Sequence, residues 1–365
     1  MKTRVTRLAT SAPDDVTALA RAIDRRQIDP ARVIAVLGKT EGNGCVNDFT
    51  RAFASGTLRS FFARQLALTE AQVGERIAFV MSGGTEGGLS PHLLVFEANS
   101  SQPAHTGSIP GLAAGVAFTR DFRPEEIGRS TQASLTLEAV LQAMASAGIQ
   151  RIEDVHYVQI KCPLLTAARI NDAAARGHIV VCHDTYESMG YSRGASALGV
   201  AAALGELPDG AVRDEQICRD WSLYSTRAST SAGIELLRNE VLVLGNAPGW
   251  DPEYRIGHAV MEDALDVLAV DRAMASTPEG EALELTSARL VGLLVKAEPS
   301  ACGSIRGSRH VMSDDSDINA SRHARALVGG VLAGRLGDTR LFVSGGAEHQ
   351  GPNGGGPLAL IVRNG

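Results

Sequence analysis

One stretch, Ile77-Ala78-Phe79-Val80-Met81-Ser82-Gly83-Gly84-Thr85-Glu86, joins an apolar run to a serine, two glycines and an acid. Upstream, the apolar run at residues 33–37 leads to Gly38-Lys39, and Arg51 lies between the two runs near the start of a segment with helical spacing. Short apolar runs that end at glycine are typical of buried strands. The stretch therefore predicts a unit in which one strand ends in lysine, a helix carries arginine and a second strand ends in serine.

The same order of features occurs twice more along the chain. We call the pattern Ser-[Gly/Ala]-Gly-x-Glu the serine element, and it spans residues 82–86, 231–235 and 344–348. The lysines that end the preceding strands are Lys39, Lys161 and Lys296, and the arginines between them and the serines are Arg51, Arg193 and Arg325. Recurrence of one unit in one order indicates internal triplication.

The triplication predicts the domain organisation. A chain of 365 residues suits two or three domains, and we place the repeats at residues 1–103, 104–250 and 251–365. Each repeat mixes apolar strands with Ala-rich helices, so the predicted fold class is α+β with three tandem repeats. Helical spacing predicts helices at residues 281–290 and 321–333.

Composition excludes several classes of function. The net charge of −6 argues against a general nucleic-acid binder. The five cysteines form no C-x-x-C pair, and the histidines lack zinc-site spacing. The Gly-rich segment at 351–356 lacks the Gly-Lys-Ser/Thr ending of a phosphate-binding loop. With neither a signal peptide nor a long apolar span, we expect a cytoplasmic protein with reduced thiols, no membrane contact and no organic cofactor.

The repeated residues suit acyl-transfer chemistry. A serine hydroxyl needs a base to become nucleophilic, and lysine serves once burial and neighbouring cations lower its pKa. Small residues after each serine let backbone N–H groups approach an oxyanion, and arginines can hold ring carbonyls. Three equivalent sets of lysine, serine and arginine imply a flat ligand with roughly threefold polar symmetry. One Ser–Lys pair suffices for catalysis, but the repeats alone do not identify the catalytic pair. Within the middle repeat, only alignment with the other two repeats selects Ser231 over Ser229.

Two segments are specific enough to indicate a family. Gly38-Lys39-Thr40-Glu41-Gly42-Asn43-Gly44-Cys45-Val46-Asn47-Asp48 and Met81-Ser82-Gly83-Gly84-Thr85-Glu86-Gly87 resemble the cyanuric acid hydrolase/barbiturase family of ring-opening amidohydrolases. The resemblance covers essentially the whole chain. It implies three repeats around a pseudo-threefold axis (the Toblerone fold), a planar ring substrate on that axis and a homotetramer.

The resemblance also assigns roles to residues. It makes Ser231 the nucleophile and Lys161 the general base, with Lys39 and Lys296 in two additional pairs. The implied substrate-binding residues are Arg51, Ser82, Gly83, Arg193, Ala232, Arg325, Ser344 and Gly345. It further implies a structural divalent cation, magnesium or calcium, in the third repeat, with Glu298 as side-chain ligand. Backbone oxygens of Ala347, Gln350, Gly351, Pro352 and Gly355 would complete that site. We expect the glutamates of the serine elements to play a structural role.

The expected reaction is ring opening of cyanuric acid to carboxybiuret, which loses carbon dioxide to give biuret, a step in s-triazine degradation. One alternative is a barbiturase, which converts barbituric acid to ureidomalonate. A third is a non-catalytic binder of cyclic imides, which would keep the arginines without a complete Ser–Lys pair. All three pairs are complete in this sequence, which favours an enzyme.

Overall fold

The computed structural model describes residues 1–100, 102–208, 210–278 and 285–364 and contains three four-stranded sheets. The first sheet contains β1 (Lys2–Ala9), β2 (Val33–Thr40), β3 (Ala78–Gly83) and β4 (His92–Asn99). The second contains β5 (Gly111–Phe118), β6 (Val155–Cys162), β7 (Ala228–Ala232) and β8 (Glu240–Ala247). The third contains β9 (Tyr254–Met261), β10 (Leu290–Ala297), β13 (Phe342–Gly345) and β14 (Gly356–Arg363), and a small hairpin pairs β11 (Ser304–Ile305) with β12 (Ser308–Arg309).

All three sheets have the same topology. The orders are β1-β4-β2-β3, β5-β8-β6-β7 and β9-β14-β10-β13, so in each sheet the fourth strand lies between the first and the second. The second and third strands of each sheet are parallel, and the other pairs are antiparallel. The three repeats therefore share one architecture.

Helices cover the outer face of each sheet. The first repeat has α1 (Thr17–Asp24), α2 (Phe49–Leu66) and α3 (Glu70–Gly74). The second has α4 (Ser130–Ser146), α5 (Ala167–Ala175) and α6 (Thr185–Ala203), and the third has α7 (Ala269–Ala275) and α8 (Ala320–Leu336). Side-chain caps begin the arginine-bearing helices: Asp48 accepts from the Thr50 N–H, Asp184 from the Glu187 N–H and Asn319 from the Ser321 N–H.

The strands are buried on both faces because each sheet lies between helices and a shared centre. Every residue of β6 is buried, for example. The inward faces of the three sheets meet in one apolar core that includes Leu37, Leu242 and Leu294, one from each sheet. The outward faces pack against their own helices in three separate cores. The common core defines the pseudo-threefold axis.

This architecture confirms the predicted α+β fold with three tandem repeats. The three sheets fall within residues 1–103, 104–250 and 251–365, although the exact repeat boundaries stay a prediction. The helix predicted at 321–333 is confirmed as α8. Among the described residues, no helix is long and apolar enough to cross a membrane.

The helix predicted at 281–290 is wrong in its described part. Residues 279–284 lie outside the described residues, and a turn follows in which the Thr286 carbonyl accepts from the N–H groups of Arg289 and Leu290. Leu290 then begins β10 and pairs with Val362 of β14. Pairing within the third sheet therefore overrides the local helical spacing.

Candidate active site

The parallel strand pairs bring each lysine opposite a serine. Lys39 is in register with Ser82. The same register sets Lys161 beside Ser231 and Lys296 beside Ser344. These residues lie at the carboxyl ends of their strands, so all three pairs reach the same end of the molecule. The fold therefore brings the three pairs together.

The three pairs surround one small polar cavity on the axis. The residues that line it are Gly44, Arg51, Ser82, Gly83, Met189, Arg193, Ser231, Ala232, Arg325, Ser344 and Gly345. All eight residues expected to bind substrate are in this set, together with the expected nucleophile. Ser229 does not line the cavity and is fully buried one layer deeper. The structure therefore favours Ser231 over Ser229 as a residue that a ligand can reach.

The serine hydroxyls contact one another across the axis. The Ser231 Oγ lies 3.0 Å from the Ser344 Oγ, and the Ser82 Oγ donates to the Ser344 Oγ at 3.3 Å. The Nζ of Lys39 donates to Ser82, and that of Lys296 to Ser344, each at 3.3 Å. Lys161 differs, because it makes no hydrogen bond to Ser231 within the described part of the chain. Its Nζ donates to the Met81 carbonyl at 2.6 Å and lies 2.9 Å from the Glu235 carboxylate.

Burial makes all three lysines weaker bases than exposed ones. Removal from water disfavours the ammonium form, and it is the largest cause lowering the pKa of each lysine. The pKa of Lys39 falls well below its usual value, with Arg325 adding repulsion, and that of Lys296 falls to about 7, with Arg193 adding repulsion. The pKa of Lys161 is also lowered, but the Glu235 carboxylate opposes the effect of burial.

Each arginine crosses from its own repeat to the serine element of the next. Arg51 of the first repeat donates to the Ala232 carbonyl of the second at 2.8 Å. Arg193 of the second repeat donates to Glu348 of the third through two N–H groups, at 2.7 and 2.6 Å. Arg325 of the third closes the cycle with a paired contact to Glu86 of the first. The cavity wall therefore requires all three repeats.

The sequence assigned no role to two residues that hold Arg51 and two that line the cavity, although three of the four lie in the family-like segment at 38–48. The Cys45 carbonyl accepts from the Arg51 side chain, and the Asp48 carboxylate lies 3.6 Å from its Nε. Gly44 and Met189 line the cavity. Asp48 could have been found, because an aspartate directly before a helical segment is a capping signal. Nothing in the local pattern marks Met189.

The residues expected to hold a cation lie beside a second cavity, of about 410 Å³. Glu298, Ala347, Gly351 and Pro352 line it, whereas Gln350 and Gly355 are not among its lining residues. Burial and the nearby Glu348 carboxylate raise the pKa of Glu298 to about 7. A carboxylate in such a setting, beside the Gly-rich segment at 351–356, suits a hard divalent cation. The described residues contain no cluster of three or more acidic, histidine or cysteine side chains that could hold a metal ion, so carbonyl oxygens would have to supply most ligands.

The side chain of Gln350 makes contacts of its own, while the expected role of its backbone oxygen stays a prediction. Its Oε1 accepts from the Thr230 N–H at 2.7 Å, and its Nε2 donates to the carbonyls of Gly346 and Glu348, each at 3.2 Å. The side chain thus ties the loop of the third repeat to the strand that carries Ser231. Gly355 donates its N–H to the Pro352 carbonyl at 3.0 Å and closes a turn.

Residues 4–363 match the family described as "Amidohydrolase ring-opening protein". A cyanuric acid amidohydrolase of Ectopseudomonas oleovorans (strain CECT 5344) is 80% identical over 364 residues, covering 100% of both chains. A cyanuric acid amidohydrolase of Enterobacter cloacae is 50% identical over 372 residues, again covering 100% of both.

Solved structures give the same result. A cyanuric acid hydrolase, described as an evolutionary innovation by structural concatenation, superposes with a TM-score of 0.94 at 49% identity, covering 100% of this chain and 99% of that one. The cyanuric acid hydrolase of A. caulinodans superposes with a TM-score of 0.90 at 51% identity, covering 99% of each chain.

Proposed function

The chain belongs to the family of ring-opening amidohydrolases and is therefore an enzyme, and on this premise we propose that it hydrolyses the ring of cyanuric acid. The observation that carries the proposal is the cavity on the axis, where three serines and three arginines surround one space. Cyanuric acid alternates carbonyl and N–H groups around a ring with threefold symmetry. Each repeat can therefore offer the same donors to an equivalent edge of the substrate.

Ser231 is the proposed nucleophile, and Lys161 is the proposed base. The Ser231 Oγ attacks a ring carbonyl carbon while the neutral Lys161 amine takes its proton, giving a tetrahedral oxyanion and an ammonium. Collapse of the oxyanion breaks the ring C–N bond, and the leaving nitrogen takes the proton back from Lys161. Water, activated by the same amine, then hydrolyses the acyl-enzyme to carboxybiuret and restores the serine. Loss of carbon dioxide gives biuret.

The missing hydrogen bond between Lys161 and Ser231 does not argue against this assignment, because catalytic hydrogen bonds often form only in the substrate complex. The register holds the two side chains side by side on adjacent strands. Because burial lowers the pKa of Lys161, it supplies a neutral amine more readily than an exposed lysine would. Ser82, Ser344 and the three arginines are left to bind the ring.

We also propose a structural divalent cation at Glu298, held with backbone oxygens of the 347–355 loop. When bound, the cation would supply charge neutralisation beside two neighbouring carboxylates, Glu298 and Glu348. This chain's own residues do the rest: Gln350 holds the loop against β7, and Glu348 holds Arg193 at the cavity. The homotetramer and the cytoplasmic location stay predictions.

The decisive experiment compares purified wild type with Ser231→Ala, Lys161→Met and the matched variants Ser82→Ala and Lys39→Met, on cyanuric acid and on barbituric acid. Loss of substrate and formation of biuret are followed together. We expect Ser231→Ala and Lys161→Met to lower kcat by about 10²–10⁴-fold or more, the range typical of lost general-base catalysis. The first-repeat variants should mainly raise KM, since Ser82 lines the cavity and Lys39 donates to its hydroxyl.

Other outcomes would change specific parts of the proposal. Turnover of barbituric acid alone would keep the mechanism and replace the substrate. Full activity of Ser231→Ala would assign the nucleophile to another repeat, with Ser344 beside Lys296 the first to examine. Binding of either ring without turnover by wild type would overturn the enzymatic proposal in favour of a cyclic-imide binder.

A further inference from the structure

Directly beneath the three Lys–Ser pairs lies a second layer of side chains, which we call the floor of the site. Alternate residues of a strand share a face, so the floor consists of the residues two positions before each lysine and serine. In the first repeat the floor is Leu37 with Val80, and in the third it is Leu294 with Phe342. In the middle repeat it is Gln159 with Ser229. Two sectors of the floor are hydrocarbon, and one is polar.

The polar sector is fully buried and ordered by hydrogen bonds. Gln159 and Ser229 have no exposed surface. The Gln159 Nε2 donates to the Ser229 carbonyl at 2.9 Å and to the Ile160 carbonyl at 3.3 Å. Below them, Tyr157 points toward the axis. Burial raises the pKa of its phenol, and the Ser229 hydroxyl opposes that effect. Tyr157, Gln159 and Lys161 thus form one polar column on the inward face of β6.

The polar floor of the middle repeat is unfavourable for folding by itself. Within the described residues, the Gln159 Oε1 and the Ser229 Oγ accept or donate no hydrogen bond that meets normal geometry. A buried polar atom without a partner destabilises the folded state, a cost that the leucines, valine and phenylalanine of the other sectors avoid. The middle repeat therefore carries polar groups where packing alone favours apolar ones.

The chemistry proposed for the site supplies a use for these groups. Proton transfer from Ser231 converts the Lys161 amine to an ammonium in a fully buried position, where an unsolvated charge is unfavourable. Oriented amide and hydroxyl dipoles in the adjacent layer, about 7 Å along the strand, replace part of the lost hydration. A hydrocarbon floor, as under Lys39 and Lys296, cannot do so.

We propose that Gln159 and Ser229 are positioning residues whose polar floor stabilises the protonated form of Lys161 during ring opening. The inference rests on the proposed roles of Ser231 and Lys161. The charged and titratable groups that act on Lys161 from the surrounding elements are Glu235, Arg51 and Cys162. The floor adds a neutral dipolar contribution to theirs and distinguishes the middle lysine from its two counterparts.

The test replaces the polar floor with the hydrocarbon of the other repeats. Gln159→Leu copies the residue at the equivalent position, and Gln159→Met keeps the length of the side chain if the leucine variant folds poorly. We expect kcat to fall roughly three- to tenfold with KM within about twofold. The acidic limb of the kcat/KM pH profile should move down by about half to one pH unit, because a lysine on an apolar floor holds its proton less tightly.

Leu294→Met is the matched control, since it alters the same layer in the third repeat without changing its polarity. It should leave the acidic limb where it is in wild type. A wild-type pH profile and kcat in Gln159→Met would overturn the inference, as would an equal shift of the limb in Leu294→Met. Failure of the underlying assignment is distinguishable, because it appears as full activity in Ser231→Ala, whereas failure of the floor alone leaves Ser231→Ala inactive.

Discussion

The serine elements of the second and third repeats share one pattern but make different contacts. In the third, Glu348 binds Arg193 of the preceding repeat through both carboxylate oxygens. In the second, Glu235 turns back to Lys161 of its own repeat, and Arg51 of the preceding repeat contacts a backbone carbonyl instead. The first repeat follows the third, with Glu86 paired to Arg325. The middle element is therefore the exception.

The central glycine of each serine element provides the space for these different contacts. Gly346 has a φ of +74°, and a Cβ there would lie 2.4 Å from the Arg193 Nε, so only glycine admits the arginine so closely. Gly233 occupies the equivalent position, but a Cβ there would lie 2.2 Å from the Glu235 Oε2. The same absent side chain makes room for a neighbour's cation in one repeat and for the repeat's own carboxylate in another. The recurring glycine therefore provides the same space beside the backbone in both repeats, but a different side chain fills it in each.

The largest difference in kcat, pH profile and stability is expected between the variants Glu235→Gln and Glu348→Gln. Glu235 opposes the lowering of the Lys161 pKa, so its loss should lower that pKa further and move the acidic limb of kcat/KM to lower pH. We expect kcat to fall about 10- to 100-fold, because the ammonium formed in the reaction loses a charge-assisted partner. Thermal stability should change little, because a buried lysine can release its proton.

Glu348→Gln provides the contrast, because Arg193 cannot release its proton and keeps a charge without its carboxylate. This variant should lose several kcal/mol of stability and raise KM while keeping the wild-type pH profile. Thermal unfolding together with pH–rate profiles distinguishes the two. If Glu348→Gln shifts the acidic limb and Glu235→Gln does not, the proposed difference between the two repeats is wrong.

A smaller effect is expected from adding one methyl group at the two glycines. Gly346→Ala places an alanine at positive φ against Arg193, and we expect a loss of about 1–2 kcal/mol in stability and a several-fold rise in KM. Gly233→Ala displaces the Glu235 carboxylate from Lys161 and should lower kcat more than it raises KM. Steady-state kinetics with chemical denaturation measures both. Identical kinetic effects of the two alanines would show that the glycines serve one common purpose.

The smallest effect on catalysis is expected at the proposed cation site, which further distinguishes the third repeat from the first. Glu298 lies two residues after Lys296, and Glu41 lies in the same position after Lys39 but is exposed. A chelator should lower the Tm of the wild type by a few degrees, as loss of a bound ligand does, with little change in kcat at 25 °C. Glu298→Gln should abolish this sensitivity to the chelator, and Glu41→Gln should retain it. Metal analysis showing no bound divalent cation in active protein would refute the site.

The sequence predicts the repeated parts of the molecule better than its exceptions. Three Lys-to-Ser units suffice to predict the strands that end in lysine and in serine, because each apolar run ends at one of these residues. The helix predicted at 281–290 failed since Leu290 gains a strand partner far away in sequence. The contacts of Glu235 could not be predicted either. Three equivalent glutamates have equivalent local patterns, and the choice between a lysine and an arginine depends on neighbours in other repeats.

The cycle of arginines between repeats has a consequence for how such a site can change. A single repeat, standing alone, would carry an arginine without its acceptor and a serine element without its clamp, so only a ring of three could complete the cavity. In a ring of three identical subunits every substitution appears three times, so the three sides of the cavity keep the same residues. Joining the units in one chain removes that constraint. One sector can then acquire its own carboxylate–amine pair and a polar support, while the other two keep the geometry that grips the ligand.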